Sequence, residues 1–411
     1  MKVLDVSDFY SERGGGISCH LGLKSRALVD EGLDHRILVP GSRDERQILH
    51  VGMTDGRKHT AELIRLRGPA QPYDLSYHFL ARIDRVGRVL REEAPDIVEL
   101  NSPYLAAAGV FAAGRRSSRV RTFFWHSNHI DTWARPAFGR VVTERFADHA
   151  VRPLWRLMRG VLDRCDAVIT TTRWQTELLR ARGVTHAYYV PFGVDKRTFS
   201  PTHRSPERRL ELLGPARSNA SLFVAVGRLS MEKRFDVVVD AFLRYRRDHD
   251  AVLVVFGDGP ERESLTRRAA TCEDVRFVGF EPDPLRLATA FASADALIHG
   301  CPHETFGLAV AEALSCGLPA VVPDAGGACE NAQGPSAEIY ESGNAQAGAA
   351  ALERLMSRSP ESLREAALEH AGTIRAQATH FRDVVALYEQ LCRTPARPPT
   401  APRSARVPLP N

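Results

Sequence analysis

The feature that most restricts this chain is a rhythm that runs twice. Short runs of β-branched, aliphatic and aromatic residues alternate with longer stretches of helical period, the pattern of a parallel sheet covered by helices. In the first half the strand-like runs are Lys2–Val6, Arg36–Pro40, Asp96–Leu100, Arg121–Trp125, Ala167–Thr170 and Tyr188–Val190. Helical patterns lie near 17–31, 76–93, 140–164 and 173–182. The rhythm breaks at Pro191-Phe192-Gly193-Val194-Asp195 and stays broken through Pro201 and Pro206. It restarts with Leu222–Val226, Val252–Phe256, Val275–Val278, Ala296–Ile298 and Ala320–Val322, separated by helical patterns near 235–248, 261–270, 284–293 and 308–316.

A length of 411 residues exceeds one ordinary core and suits two. The expected fold is α/β, with two Rossmann-like domains, 1–195 and 202–375, facing across a cleft. Ligands of such sheets bind beyond the carboxyl ends of the strands. Phe381, Val384, Val385, Leu387, Tyr388 and Leu391 share one face of a final helix, expected over about 376–393. From Thr394 to Asn411 six prolines and three arginines without helical period predict a disordered tail.

Composition excludes several classes. Hydrophobic residues at 44% and charged residues at 26% exclude disorder over most of the chain. No apolar run approaches the ~18 residues of a membrane span. Asp5 and Asp8 stand where a secretory signal would be apolar, so a cytoplasmic protein without a cleaved segment is expected. A net charge of +5 is too mild for a nucleic-acid partner. Seven cysteines, an odd number without C-x-x-C spacing, argue against a disulfide framework or structural zinc and predict buried free thiols. Fifteen histidines show no metal-ligand spacing, so no metal is expected. Five lysines stand against fifty arginines, as a GC-rich coding sequence would give, so a lysine in a chemically suggestive place draws notice.

Five segments carry candidate chemistry. In Glu304-Thr305-Phe306-Gly307-Leu308 and the helix to Gly317, the free N–H groups and dipole of the helix start suit a phosphate. Glu304 and Glu312 are placed to line one side of a site; hydroxyl groups would justify carboxylates beside a phosphate. An ordinary helix with a capping Thr305 and an exposed Glu312 is the competing reading. Gly227-Arg228-Leu229-Ser230-Met231-Glu232-Lys233 brings two cations to a strand end, where they could neutralise a departing diphosphate; a solvated loop is the alternative. Gly257-Asp258-Gly259-Pro260 has turn chemistry, with backbone contact to a ligand as the second reading. Gly14-Gly15-Gly16 lacks the third glycine and distal acid of a dinucleotide fingerprint. It reads equally as a plain turn or as a loop that a phosphate approaches. His126, in Trp125-His126-Ser127-Asn128-His129, sits at a strand end as either a structural or a cleft histidine.

Taken in order, these segments resemble the retaining glycosyltransferases of the GT-B fold, family 4. The resemblance covers residues 1 to about 392, and the E-x7-E pair with the upstream arginine and lysine is its specific part. It implies that Arg228 and Lys233 hold the donor diphosphate. Glu304 would bind the transferred sugar, with Phe306, Gly307 and Leu308 beside it and the phosphates. Glu312 would bind the ribose, Phe280 would lie near the base, and Gly257 near the donor. Gly15, Gly16 and His126 would come from the first domain, and the final helix would cross back onto it. The catalytic group would be Glu304, His126, Arg228 and Lys233, without a metal cofactor. Phe192 replaces the asparagine common at the interdomain junction, which puts that hinge contact in question.

Asp5–Tyr10 and the glycine loop look most like the mannosyltransferases that build phosphatidylinositol mannosides. GDP-mannose is thus the first expected donor, ahead of UDP-glucose or another UDP-sugar. The acceptor would be a glycolipid or saccharide. A nucleotide-sugar epimerase on the same fold and a catalytically silent basic binding protein are the rival readings. Trp133, Phe138, Leu154, Trp155 and Met158 interleave with Arg135, Arg140, Arg145, Arg152, Arg156 and Arg159. That is the pattern of a peripheral membrane contact, or of a helix whose apolar side faces the first core.

Overall fold

The structure, a computed structural model, describes residues 1–11, 16–72, 75–128, 130, 132 and 144–394. The glycines at 14 and 15, the Trp133–Arg140 part of the basic stripe, and the tail beyond Thr394 lie outside them.

The first domain carries an eight-stranded sheet: β1 (Lys2–Val6), β2 (Asp34–Gly41), β3 (Glu45–Thr54), β4 (Arg57–Arg67), β5 (Ile97–Leu100), β6 (Val120–Phe124), β7 (Ala167–Thr170) and β8 (Ala187–Tyr189). Its order is β3-β4-β2-β1-β5-β6-β7-β8. All pairs are parallel except β3 with β4. The central strands are apolar and buried on both faces because helices cover both sides. Leu4, Val6, Val98, Phe123 and Val168 lie in one core layer. Val3, Ile97, Phe124 and Ile169 lie in the other.

The second domain carries β10 (Ser221–Val226), β11 (Ala251–Phe256), β12 (Val275–Gly279), β13 (Ala296–Ile298), β14 (Ala320–Pro323) and β15 (Ala337–Tyr340), all parallel, in the order β12-β11-β10-β13-β14-β15. Strand order reverses between β1 and β5 in one sheet and between β10 and β13 in the other. Crevices that take ligands form at such switch points.

The chain leaves the first domain through β9 (Gly193–Val194) and returns alongside it through β16 (Arg375–Ala376), the two pairing in parallel. The helix Gln377–Arg393 then packs on the first domain, where Val384, Leu387 and Tyr388 join Val3, Leu28 and Ile97. Contacts also bridge the two domains directly. The Glu330 carboxylate accepts from the backbone N–H of Arg173 at 2.9 Å and of Trp174 at 3.0 Å. A negative group at the start of the Arg173–Ala181 helix is favoured by its unpaired N–H groups and dipole.

Several expectations need correction. The β3–β4 hairpin was not foreseen. Asp55 and Gly56 both have positive φ at its two-residue turn, the geometry that Asp-Gly favours. The helix expected near 76–93 runs only from Ile83 to Glu93. Its expected first turns pair with an earlier loop, with Gln71 N–H to the Tyr77 carbonyl and Phe79 N–H to the Pro69 carbonyl. Only Cys165, Cys301 and Cys316 are buried; all seven cysteines are free, and Cys19 is exposed. Trp155 and Met158 belong to the core, so they form no basic-aromatic surface. Leu154 and Leu157 of the same helix are exposed, together with Arg152, Arg156 and Arg159.

Candidate active site

The switch point of the second sheet gathers the charged residues. The loop after β10 carries Arg228 and turns at Met231–Lys233, and the loop after β13 carries Glu304. The Lys233 ammonium pairs with Glu304 Oε1 across 71 residues of chain. Burial alone would raise the Glu304 carboxyl, but Lys233 and then His299 outweigh it and hold it below its ordinary value. Burial likewise opposes the Lys233 charge, and Glu304 overrides it to raise the ammonium. Each group keeps the other ionised.

Arg228 lies against the first domain. Its guanidinium carbon is 5.3 Å from the Tyr77 ring centroid, and Nη1 is 3.4 Å from the phenol oxygen. Thr305 crosses the same way, its hydroxyl donating to the His126 carbonyl at 3.0 Å. Thr305 is therefore a bridge between domains, and the residue before the Leu308–Ser315 helix is Gly307 at φ +79°, without a side-chain cap. A Cβ there would also come within 2.8 Å of the Ala328 backbone, so glycine is needed twice over.

The loop Gly257-Asp258-Gly259-Pro260 has a structural reason. A Cβ on Gly257, at φ +137°, would sit 1.9 Å from the Gly227 carbonyl oxygen. The two glycine loops pack backbone to backbone, and Leu229 N–H donates to the Asp258 carbonyl at 3.0 Å. Gly257 thus sets the path of the Arg228 loop. Gly16 differs, since a Cβ there meets nothing within 4 Å.

Phe306 turns inward, buried, with its ring 5.3 Å from Phe192. At the junction Phe192 makes this tilted ring contact and stacks on His380, with centroids 4.6 Å apart. The Phe306 carbonyl accepts from Asn331. Leu308 is half-buried. Phe280 is 58% exposed beyond the end of β12 and borders a cavity of about 280 Å³ with Arg208, Phe256, Arg276 and Glu281.

Glu312, half-buried on the Leu308–Ser315 helix, is pushed up to about 8 by burial. Burial thus holds the proton on this carboxyl further up the pH scale than on an ordinary glutamate, and while protonated it can donate to an oxygen as well as accept. A carboxyl raised on folding favours the protonated form, so it costs stability as pH climbs from its unfolded value near 4.5 towards 8. Glu312→Gln removes that cost. Its melting temperature should exceed the wild-type value by more than ~2 °C at pH 8.5 and by less than ~1 °C at pH 5. A constant offset across pH, measured by differential scanning fluorimetry, would refute the shift.

Two groups escaped the sequence. His299, Cys301 and Glu304 bring three potential ligand atoms within 4.8 Å of one another. His299 is lowered to about 4 and Cys301 raised to about 12, both by burial. The Lys233 ammonium on the same carboxylate opposes a further cation there. The second group is a buried charge network beneath His126. Lys24 lies between Asp5 and Glu99, and the Asn101 amide links Asp5 to His126 Nε2. Asp5 and Glu99 were legible as acids inside apolar strands, and Lys24 as one of five lysines.

Comparison with known proteins points to glycosyl transferases in both halves of the chain. The profile of the glycosyl transferases group 1 matches residues 214–371, and that of the glycosyl transferase 4-like domain matches residues 15–193. The chain is 33% identical over 325 residues to a GDP-mannose-dependent alpha-(1-6)-phosphatidylinositol dimannoside mannosyltransferase of Mycobacterium tuberculosis, covering 78% of this chain and 79% of that protein. It is 28% identical over 335 residues to a GDP-mannose-dependent alpha-mannosyltransferase of Corynebacterium glutamicum, covering 80% and 73%. Among solved structures, sucrose-phosphate synthase of Thermosynechococcus elongatus superposes with a TM-score of 0.74 at 18% identity, over 95% of this chain and 99% of that one. HepE of Anabaena, in complex with UDP-glucose, superposes with a TM-score of 0.69 at 16% identity, over 95% and 100%. At these identities the two structures speak for the fold alone.

Proposed function

The chain belongs to family 4 of the GT-B-fold glycosyltransferases, and on that premise we propose that it is a retaining mannosyltransferase, taking mannose from GDP-mannose to a glycolipid or saccharide acceptor. The observation that carries the reading is the Lys233–Glu304 pair at the switch point of the second sheet, with Arg228 on the neighbouring loop. In this reading Arg228 and Lys233 meet the diphosphate, whose charge grows as the glycosidic bond breaks. Glu304 and Glu312 accept or donate at sugar and ribose hydroxyls. The start of the Leu308–Ser315 helix offers N–H groups to a phosphate. His126 belongs to the sugar side of the cleft, and Gly15 and Gly16 are assigned to the donor with it. Gly257 acts by shaping the Arg228 loop, and Phe280 borders the base.

Mannose as the sugar and GDP as the carrier are supported by the mannosyltransferases named above. A UDP-sugar is the second donor to test, and an epimerase or silent binding protein the rival on this fold. The ionised pair of Lys233 and Glu304 favours a working site over a silent one.

For the acceptor, no helix among the described residues is long and apolar enough to cross a membrane. The exposed Leu154 and Leu157 beside Arg152, Arg156 and Arg159 favour a peripheral contact with an anionic leaflet. One set of measurements tests the whole reading. Thermal shift with GDP, UDP and their sugars should rank GDP-mannose first, because ligand binding stabilises by mass action. Labelled GDP-mannose, with EDTA present, should yield product only when a glycolipid in anionic vesicles or a saccharide is added. Conversion of the donor alone would favour the epimerase, and dependence on a divalent cation would overturn the metal-free charge compensation by Arg228 and Lys233.

A further inference from the structure

We propose that Asn101 and Asp5 are positioning residues for His126, holding the neutral imidazole as its Nε2–H tautomer so that Nδ1 carries the lone pair. The consequence for transfer rests on the placement of His126 at the sugar; the tautomer itself does not.

The argument starts at the switch point of the first sheet. Asp5 of β1 and Glu99 of β5 stand opposite each other in register, and both are fully buried. Lys24, on the Gly16–Asp30 helix, reaches between them, with Nζ 2.7 Å from Asp5 Oδ2 and 2.6 Å from Glu99 Oε1. Burial raises Asp5, but Lys24 and then His35 outweigh it, and the carboxyl is held well below its ordinary value. Asp5 is therefore a carboxylate, which only accepts hydrogen bonds.

That single fact propagates. The Asn101 side chain lies 2.7 Å from Asp5 Oδ1, and only its NH₂ can face a carboxylate. The amide orientation follows, and its carbonyl oxygen is turned to His126 Nε2 at 2.6 Å. A carbonyl oxygen accepts only, so Nε2 must carry hydrogen. In a neutral ring the lone pair is then on Nδ1, the atom suited to accept a hydrogen bond or a proton from a sugar hydroxyl.

Two further contacts stiffen the arrangement. Asn101 N–H donates to the Val6 carbonyl at 2.9 Å, fixing the backbone beside Asp5. The His126 ring stacks on Phe124, with centroids 4.4 Å apart. The network also reaches the returning helix, where the Tyr388 hydroxyl donates to Glu99 Oε2 at 2.7 Å, beside the Thr122 hydroxyl at 2.8 Å. Docking of the Gln377–Arg393 helix and orientation of the cleft histidine therefore share one buried set of charges.

The test is long-range proton–nitrogen correlation on protein labelled with ¹⁵N-histidine, the His126 signals being identified by their loss in His126→Gln. The wild type should show a protonated Nε2 and an unprotonated Nδ1 for His126. In Asn101→Ala that pattern should collapse to an average or invert. The same variant should lose at least ~10-fold in kcat, ~1.4 kcal/mol, with donor KM changed less than ~twofold. Wild-type protein with an Nδ1–H ring, or with averaged tautomers, overturns the proposal whether or not Asn101→Ala folds. A tautomer fixed as Nε2–H in the wild type and lost in Asn101→Ala, with kcat unchanged, leaves the positioning standing and overturns the assignment of His126 to transfer; the same tautomer kept in a folded Asn101→Ala overturns the positioning.

Discussion

Glu304→Ala should lower turnover by at least ~100-fold, ~2.7 kcal/mol of transition-state stabilisation, while a nucleoside diphosphate still binds. The carboxylate is assigned to the transferred sugar, and a diphosphate without sugar has no use for it. The structure sharpens this expectation. Glu304 is one half of an ion pair, so its removal frees the Lys233 ammonium for the diphosphate. Affinity for GDP should hold or rise. Truncation also strands a partly shielded ammonium, which lowers stability. Glu304→Gln keeps the shape and serves as the control for folding. Steady-state kinetics with isothermal titration of GDP reads both effects. Turnover above about a tenth of wild type, in a folded variant, would mean that Glu304 does not touch the reacting sugar.

Which parts of this site the sequence disclosed follows from chain separation. Arg228, Lys233, Glu304 and Glu312 stood out because each sits just past a strand or on the following helix, and local pattern locates strand ends. The sheet around them was legible for the same reason, since doubly covered strands such as Val252–Phe256 read as unbroken apolar runs. The β3–β4 hairpin was missed because its outer strand mixes polar and apolar residues and buries none of them, with only Asp55-Gly56 to mark it. The network under His126 was hidden differently. Lys24 meets Asp5 across 19 residues, Glu99 across 75, and Tyr388 reaches Glu99 across 289. Nothing in one dimension announces such pairing. Acids inside Val3-Leu4-Asp5-Val6 and Ile97-Val98-Glu99-Leu100 were nonetheless a visible anomaly, because a charge on a doubly covered strand must find an opposite charge indoors. Tyr77 gave no comparable signal: its place over Arg228 depends on how the domains meet.

The cations offer the second large effect. Arg228→Ala and Lys233→Ala should each lower kcat by at least ~30-fold, ~2 kcal/mol, and weaken donor binding by much less. Negative charge builds on the leaving diphosphate as the glycosidic bond breaks, so a fixed cation is worth more in the transition state than with the intact donor. The two variants should differ in how they combine with Glu304→Ala. Lys233 shares an ion pair with Glu304, so their double variant should fall short of the summed losses by at least ~1 kcal/mol. Arg228 lies against Tyr77 of the facing domain, on a different loop from Glu304, so its combination with Glu304→Ala should lie closer to additive. A loss confined to donor KM, with kcat intact in both single variants, would contradict the assignment to the leaving group. Additivity for Lys233 and Glu304 would go further: it would mean that the pair seen in the ligand-free protein separates on binding, each partner then serving the substrate alone.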